Sequence, residues 1–341
     1  MHSAVLMIKL GEEMAMDVGK LPNDILKKMI LDKIKKTRQE ILIRPGIGED
    51  CCSIDFGENI CVMSTDPITG TTNEIGKLAV HISCNDIASC GAEPIGLLVT
   101  ILAPPKTTEN DLGTIMNQLS EEASLVNVDI LGGHTEITTA VNRTVLICTC
   151  VGKVLHKKMI TSSGAKPKDL IIVTKSAGLE GTAIIAHEKE KELVHIFDEE
   201  FVERAKRYID HISVVKEGII SGKFGASSMH DVTEGGILGA VWEVAEASNV
   251  GVKIYKDKVP VTEETRLICG HYGIDPLKLI SSGCMLITCS KGEELIKLLS
   301  ENGVHATIIG EVTQDKRKII IENGSENMIN QPSSDELYKV V

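Results

Sequence analysis

The stretch GKLAVHISCNDIASCGAEP, residues 76–94, decides the fold around it. Its apolar residues recur at helical spacing, and Gly91 followed by Pro94 ends the predicted helix. Asp86 lies in the middle of this helix, where a carboxylate is costly unless it is paired, hydrogen-bonded or bound to a cation. We therefore expect the rest of the chain to supply a partner for Asp86.

Length and charge exclude several classes of protein. At 341 residues the chain is too long for one ordinary core, so we expect two domains. A net charge of −12 makes duplex DNA and anionic membranes poor partners, and an aromatic content of 3% gives little surface for stacking single-stranded nucleic acid. No apolar run reaches the length of a membrane span. A small-molecule ligand is the remaining expectation, and a polyanion would need amides, lysines or metal ions around it.

The ten cysteines favour the reducing cytoplasm. They form no CxxC pair, and most lie in apolar runs, where a reduced thiol behaves as a small hydrophobic residue. The first residues also lack the continuous apolar core and the cleavage site of a signal peptide.

Both halves of the chain mix strands with helices, which predicts helices layered on mixed sheets in an α/β (α+β) fold. A polar segment with Gly164 and Pro167 is typical of a linker, so we predict domains at 1–154 and 155–341. An amphipathic helix is predicted over 22–37, and residues 330–341 are predicted to be a loosely held tail.

Acidic residues at strand ends and in turns form the first chemical pattern: Asp50, Asp66, Asp231 and Glu136, with Asp86 on its helix. Carboxylates that face a common cleft suit hard divalent cations, and Mg²⁺ combines a few carboxylates with phosphate oxygens. A turn aspartate can equally serve only to satisfy backbone donors. For Asp86 the alternative is pairing with a lysine or with backbone amides.

Glycine pairs form the second pattern: Gly132–Gly133, Gly178 with Gly181, and Gly235–Gly236. Glycine lets the backbone approach a ligand closely, and a helix N-terminus such as that near Gly178 can bind phosphate or carboxylate. Each pair can also be an ordinary turn. His134 and His230 lie in the same stretches, where each is either a catalyst or a structural hydrogen-bond donor.

Eight blocks then occur in the order found in the AIR synthase superfamily: GIGEDC (46–51), STDPIT (64–69), KLAVHISCNDIASCGAEP (77–94), LGGHTE (131–136), KPKDLIIVTK (166–175), AGLEGTA (177–183), MHDVTEGG (229–236) and SSGCML (281–286). From about residue 20 to 312 the chain resembles this superfamily, which includes AIR synthase (PurM), thiamine-monophosphate kinase, selenophosphate synthetase and the hydrogenase-maturation protein HypE. Its nearest likeness is to the HypE-like, AIR synthase-related branch.

The resemblance implies a two-domain fold whose first sheet pairs across a homodimer axis to form a β-barrel, and whose second mixed sheet is covered by helices. It also implies ATP bound with Mg²⁺ in a cleft, a small-molecule substrate and a maturation-protein partner.

By position, the resemblance implies that Asp50, Asp66 and Asp86 hold the metal, and that Asp86, Asp231 and His134 are catalytic. The expected nucleotide-binding set is Lys20, Asn85, Gly132, Gly133, Glu136, Gly178, Gly181, Thr233, Gly235 and Gly236.

The chain departs from the pattern of some of these relatives and leaves a purine-enzyme-like or unassigned small-molecule substrate. HypE proteins end in a Cys-terminated tail, whereas this sequence ends DELYKVV, and thiamine-monophosphate kinases have Asp where this chain has His134. We therefore predict an ATP- and Mg²⁺-dependent enzyme that activates a carbonyl or amide oxygen or phosphorylates a small metabolite. The alternatives are a non-catalytic, nucleotide-binding scaffold for maturation and an ATP-independent divalent-metal hydrolase.

Overall fold

The computed structural model describes residues 21, 23–35, 37–44, 46–69, 74–154, 159–332 and 334–341. Within these residues the chain forms two α/β units, each built on one mixed sheet. Lys20 lies outside the described residues. Among the described helices, none combines the length and the apolar content that a membrane crossing requires.

The first unit is a six-stranded sheet with three helices. Its elements are α1 (Asn23–Met29), β1 (Ile41–Ile43), β2 (Cys52–Asp55), β3 (Ile60–Ile68), α2 (Ile75–Ser89), β4 (Ala92–Ala103), α3 (Glu109–Leu125), β5 (Asp129–Ile137) and β6 (Val145–Val154). The strand order is β1-β2-β3-β6-β4-β5, and all neighbours are antiparallel except β4 and β5. Within the described residues of this single chain the sheet stays open and no barrel closes.

The second unit is a seven-stranded sheet flanked by helices. Its elements are β7 (Leu170–Thr174), α4 (Leu179–Glu188), α5 (Glu190–Ile196), α6 (Glu199–Lys206), α7 (Val215–Phe224), β8 (Ser228–Asp231), α8 (Gly236–Ala247), β9 (Gly251–Tyr255), α9 (Glu263–Tyr272), β10 (Met285–Cys289), α10 (Gly292–Glu301), β11 (Ala306–Thr313), β12 (Lys318–Glu322) and β13 (Ser325–Met328). The order β13-β12-β9-β11-β7-β10-β8 is antiparallel apart from the β9–β12 pair.

The mixed α/β architecture is confirmed, and two local predictions are wrong. The helix expected over 22–37 ends at Met29 and continues only as a 3₁₀ turn, Leu31–Lys33. No residue of α1 is buried, so the amphipathic pattern has no core to cover and cannot extend the helix.

The tail predicted to be loosely held is anchored instead. The buried carboxylate of Asp335 accepts hydrogen bonds from the amides of Gly235 (2.7 Å) and Ile280 (3.2 Å), and a 3₁₀ turn, Glu336–Lys339, follows it. One carboxylate that satisfies backbone amides far away in the sequence fixes this segment. The polar composition of residues 330–341 carries no sign of it.

Helix α2 joins the two units. It packs against the first sheet on one side and against α7 on the other. The Asn85 side chain donates to the carbonyl of Ile212 (2.7 Å) and accepts from the amide of Val214 (2.8 Å), so its amide group binds the main chain of the second unit. Close packing of α2 on α7 requires glycine at Gly218, because a Cβ there would collide with the carbonyl oxygen of Ala88.

This contact predicts opposite effects for two glycine-to-alanine changes in helices. Gly218→Ala should lower the free energy of unfolding by about 1–3 kcal/mol, because α7 must move away from α2. Gly113→Ala, on α3, should raise it by about 0.5–1 kcal/mol, since a Cβ there meets nothing within 4 Å. Urea unfolding of both variants measures the pair, and equal effects would contradict the close packing of α2 on α7.

Candidate functional site

The three predicted metal carboxylates line one cavity between the two units. Asp50, Asp66 and Asp86 all face this space of about 420 Å³. Asp66 is carried by β3 and Asp86 by α2, which packs against β3 and β6. Asp231 ends β8 and approaches from the second unit, close enough for its charge to act on Asp86. The structure thus brings together the four aspartates that the sequence selected.

Asp86 is a buried carboxyl that lacks a compensating cationic partner among the described residues. Its side chain is 5% exposed, and its Oδ2 atom has no hydrogen-bond partner among the described residues. Burial, the charges of Asp231 and Asp66, a hydrogen bond with Asp66 and the charge of Asp50 together raise its pKa well above the usual value. No ion pair with a lysine or arginine relieves this within the described part of the chain. The donor set suits a hard divalent cation, which would neutralise these carboxylates together.

His230 lies at the centre of a second acidic group. Its Nε2 atom is 2.8 Å from Oε2 of Glu243, and its Nδ1 atom is 3.6 Å from Oδ2 of Asp50 and 4.0 Å from Oδ1 of Asp231. Burial by itself lowers the pKa of His230, but the hydrogen bond to Glu243 and the surrounding negative charges outweigh it and raise the pKa to about 9. One ligand atom each from Asp50, His230 and Asp231 lies within 4.8 Å of the others, so these residues could also hold a metal ion.

His134 lies elsewhere. It is an exposed residue of β5, the edge strand of the first sheet, with its Nε2 atom 3.9 Å from Oε2 of Glu136. Gly132 and Gly133 precede it on the same strand, and none of these four residues lines the 420 Å³ cavity. Glycine is required at position 133 for packing within the sheet, because a Cβ there would collide with the carbonyl of Val99 on β4. Their role at the nucleotide stays a prediction.

The backbone amides of the predicted glycines in the second unit already donate hydrogen bonds within the protein. The amide of Gly178 donates to Oγ of Ser281 (2.6 Å) and that of Gly181 to the carbonyl of Ile280 (3.1 Å). The amide of Gly235 donates to Asp335, as described above, and that of Gly236 donates to the carbonyl of Thr233 (3.1 Å). Thr233 itself lines the cavity. Any phosphate bound here would therefore need other donors than these four amides.

Sequence reasoning missed several residues that line the cavity: Arg143, Glu180, Glu234, Ser282 and Tyr338. The clearest is Glu180, a 3%-exposed carboxyl on α4. Burial raises its pKa to about 7, although hydrogen bonds from Ser282 act in the opposite direction. The signal that could have found it is the one that drew attention to Asp86, because AGLEGTAIIA also places a carboxylate within an apolar helix.

Comparison with known proteins agrees with this geometry. The model of the AIR synthase related protein N-terminal domain matches residues 48–154, and that of the C-terminal domain matches residues 166–323. The chain belongs to the AIR synthase related family. The four aspartates lie within the matched segments, since Asp50, Asp66 and Asp86 fall in the first and Asp231 in the second.

Among curated relatives, a hydrogenase expression/formation protein of Methanocaldococcus jannaschii is 29% identical over 336 residues, covering 94% of this chain and 97% of its own length. The carbamoyl dehydratase HypE of Rhizobium leguminosarum bv. viciae is 26% identical over 312 residues, 87% of each chain. The thiamine-monophosphate kinase of Bacillus subtilis is 29% identical over 190 residues, 55% of this chain and 57% of the kinase.

Solved structures share the fold. A chain in the crystal structure of a HypE–HypF complex has a TM-score of 0.75 at 24% identity, covering 90% of this chain and 99% of that one. HypE in complex with ATP has a TM-score of 0.67 at 21% identity, covering 90% and 91%. At these identities the likeness shows a common architecture, and the residues of this chain must carry the functional argument.

The buried carboxyl of Glu180 predicts a pH-dependent effect of Glu180→Gln. Because its pKa rises from 4.5 to about 7 on folding, the folded state binds more protons than the unfolded state between these values. The contribution of Glu180 to the free energy of unfolding is therefore fully present below pH 4.5 and is lost as the pH rises through 7. Glutamine does not titrate, so the variant should gain up to about 3 kcal/mol over wild type between pH 5 and pH 8.

Denaturant unfolding at both pH values measures this difference. Glu188→Gln is the control, because Glu188 is an exposed residue at the other end of α4. A pH-independent difference for Glu180→Gln would contradict the buried placement of its carboxyl.

Proposed function

We propose that this protein is an ATP- and Mg²⁺-dependent enzyme that activates a carbonyl or amide oxygen of a small molecule, or phosphorylates it. The observation that carries the proposal is Asp86, a buried carboxylate without a cationic partner in the described residues, which shares one cavity with Asp50 and Asp66 and feels the charge of Asp231. Several carboxylates coexist there at low cost only with a cation, and a nucleotide triphosphate supplies the remaining oxygen ligands.

In this proposal the two units contribute different residues to the site. Asp50, Asp66 and Asp86 would hold the metal from the first unit, while Asp231 and the Thr233–Gly236 turn approach from the second. When bound, Mg²⁺ would neutralise the phosphate oxygens and make the terminal phosphoryl group easier to transfer. This explains how a chain with a net charge of −12 can bind a polyanion.

Relatives support both versions of the reaction. One is named a carbamoyl dehydratase and another a thiamine-monophosphate kinase, and a HypE structure contains ATP. We favour activation of a carbonyl or amide oxygen, because the hydrogenase expression/formation protein and the carbamoyl dehydratase are matched over 97% and 87% of their lengths, whereas two thiamine-monophosphate kinases are matched over 57% and 74%.

Two partners belong to the proposal. A homodimer is supported by β5, an edge strand whose side chains are mostly exposed, with Leu131 and Ile137 each more than half accessible. An exposed apolar edge is normally covered. In a dimer formed through β5, the predicted residues Gly132, Gly133, His134 and Glu136 would lie at the interface.

The second proposed partner is a maturation protein, which the HypE–HypF complex supports. All ten cysteines are free, which fits a cytoplasmic protein.

Specific observations keep two alternatives open. A nucleotide-binding scaffold without turnover would fit the maturation relatives. An ATP-independent metal hydrolase would use the group of Asp50, His230 and Asp231, which needs no nucleotide to present three ligand atoms.

Asp86→Asn tests the proposal. We expect ADP formation from MgATP, assayed with amidated metabolites and with thiamine monophosphate, to fall at least about 100-fold, while the melting temperature without ligands rises because a self-repelling buried carboxylate is removed. Glu121→Gln, an exposed change on α3, is the control and should alter neither value. Full turnover by Asp86→Asn would overturn the assignment. MgATP binding by wild type with no turnover on any substrate would favour the scaffold.

A further inference from the structure

Glu180 lines the cavity from the second unit and carries a buried oxygen without a hydrogen-bond partner among the described residues. Its carboxyl is 3% exposed and lines the same space as Asp50, Asp66 and Asp86. The hydroxyl and amide of Ser282 lie beside it, yet its Oε2 atom has no hydrogen-bond partner among the described residues. An orphaned acceptor this deeply buried costs free energy, so a donor from a bound molecule would stabilise it.

The surroundings of Glu180 are acidic. The charges of Asp335 and Glu234 both act on it, and no second-unit residue that lines the cavity is basic in the described part of the chain. Asp335 is satisfied by backbone amides, and Oε1 of Glu234 accepts from the hydroxyl of Tyr338 (2.8 Å). This wall therefore repels anions and favours a group that brings N–H donors or positive charge.

Apolar residues also line this cavity: Leu78, Ile82, Ile184, Ile280 and Leu337. A ligand that fits both features has a short apolar body and a nitrogen-borne donor at its end. The amides of Gly178 and Gly181, which sequence reasoning associated with a phosphate or carboxylate, are already bonded within the protein. Arg143 is the basic residue of the described lining, and it comes from the first unit.

We propose that Glu180 positions the small-molecule substrate by accepting a hydrogen bond from its nitrogen, in an ammonium, amidine or carboxamide group. The proposal rests on the proposed function, because it describes what binds in the cavity beside the aspartates that would hold the metal. It makes nitrogen, rather than phosphate or carboxylate, the group that the second unit recognises. Glu180 acts here as a positioning residue and takes no part in proton transfer.

Three probes of similar size test this inference at pH 8: n-butylammonium, butyramide and butyrate. Their binding to the full-length protein is measured by ligand-observed NMR with a non-hydrolysable ATP analogue and Mg²⁺ present. We expect butylammonium and butyramide to bind and butyrate to bind at least tenfold more weakly. Glu180→Gln keeps the shape of the side chain and removes its charge, so it should weaken butylammonium binding at least tenfold. Glu188→Gln should leave all three affinities unchanged.

The ratio of butylammonium to butyrate affinity separates recognition from a merely structural role, because a structural carboxyl would leave that ratio unaltered. Butyrate binding as tightly as butylammonium, or an unchanged ratio in Glu180→Gln, would overturn the inference. Binding of the ATP analogue is recorded in the same samples. Its failure to bind wild type would overturn the proposed function instead, whereas normal analogue binding with no selectivity for nitrogen would overturn only the role of Glu180.

Discussion

The structure depends on one electrostatic constraint, the burial of Asp86 beside other carboxylates. A buried charge without a partner is among the most costly features that a fold can contain. Here the side chain is 5% exposed and is surrounded by Asp50, Asp66 and Asp231, which raise its pKa further. No lysine or arginine of the described residues compensates this arrangement, so protonation or the cation of the proposed function would have to offset the cost. Under that proposal, cation binding and the free energy of unfolding are coupled at Asp86.

The helix that carries Asp86 also holds the molecule together. The side-chain amide of the neighbouring Asn85 donates a hydrogen bond to the carbonyl of Ile212 and accepts one from the amide of Val214. Small side chains on this face and glycine on α7 let the two helices approach closely. Two consecutive residues of α2 therefore have different roles. Asn85 binds the main chain of the second unit, and Asp86 lines the cavity. The nucleotide contact expected for Asn85 stays a prediction, and its side-chain amide is already bonded to the protein main chain.

Sequence reasoning predicted the features that depend on local patterns. The helix around Asp86 and the approach of Asp50, Asp66 and Asp231 to it were expected from periodicity, from the buried charge and from the order of the motifs. It did not predict the anchored tail, because Asp335 acts on amides about 55 and 100 residues away and leaves no periodic trace. His230 and His134 could not be separated, because only the fold places one beside Asp50 and the other on an exposed edge strand. Glu180 carried a usable signal that was overlooked.

The central claim is that a divalent cation makes the acidic cavity able to accept a nucleotide. Calorimetric titration of a non-hydrolysable ATP analogue into the protein, with Mg²⁺ and then with EDTA, tests it most directly. The carboxylates around Asp86 predict binding with Mg²⁺ and at least about 100-fold weaker binding in EDTA, with Mg²⁺ alone binding weakly. Equal affinity in EDTA, or no binding with saturating Mg²⁺, would contradict the claim.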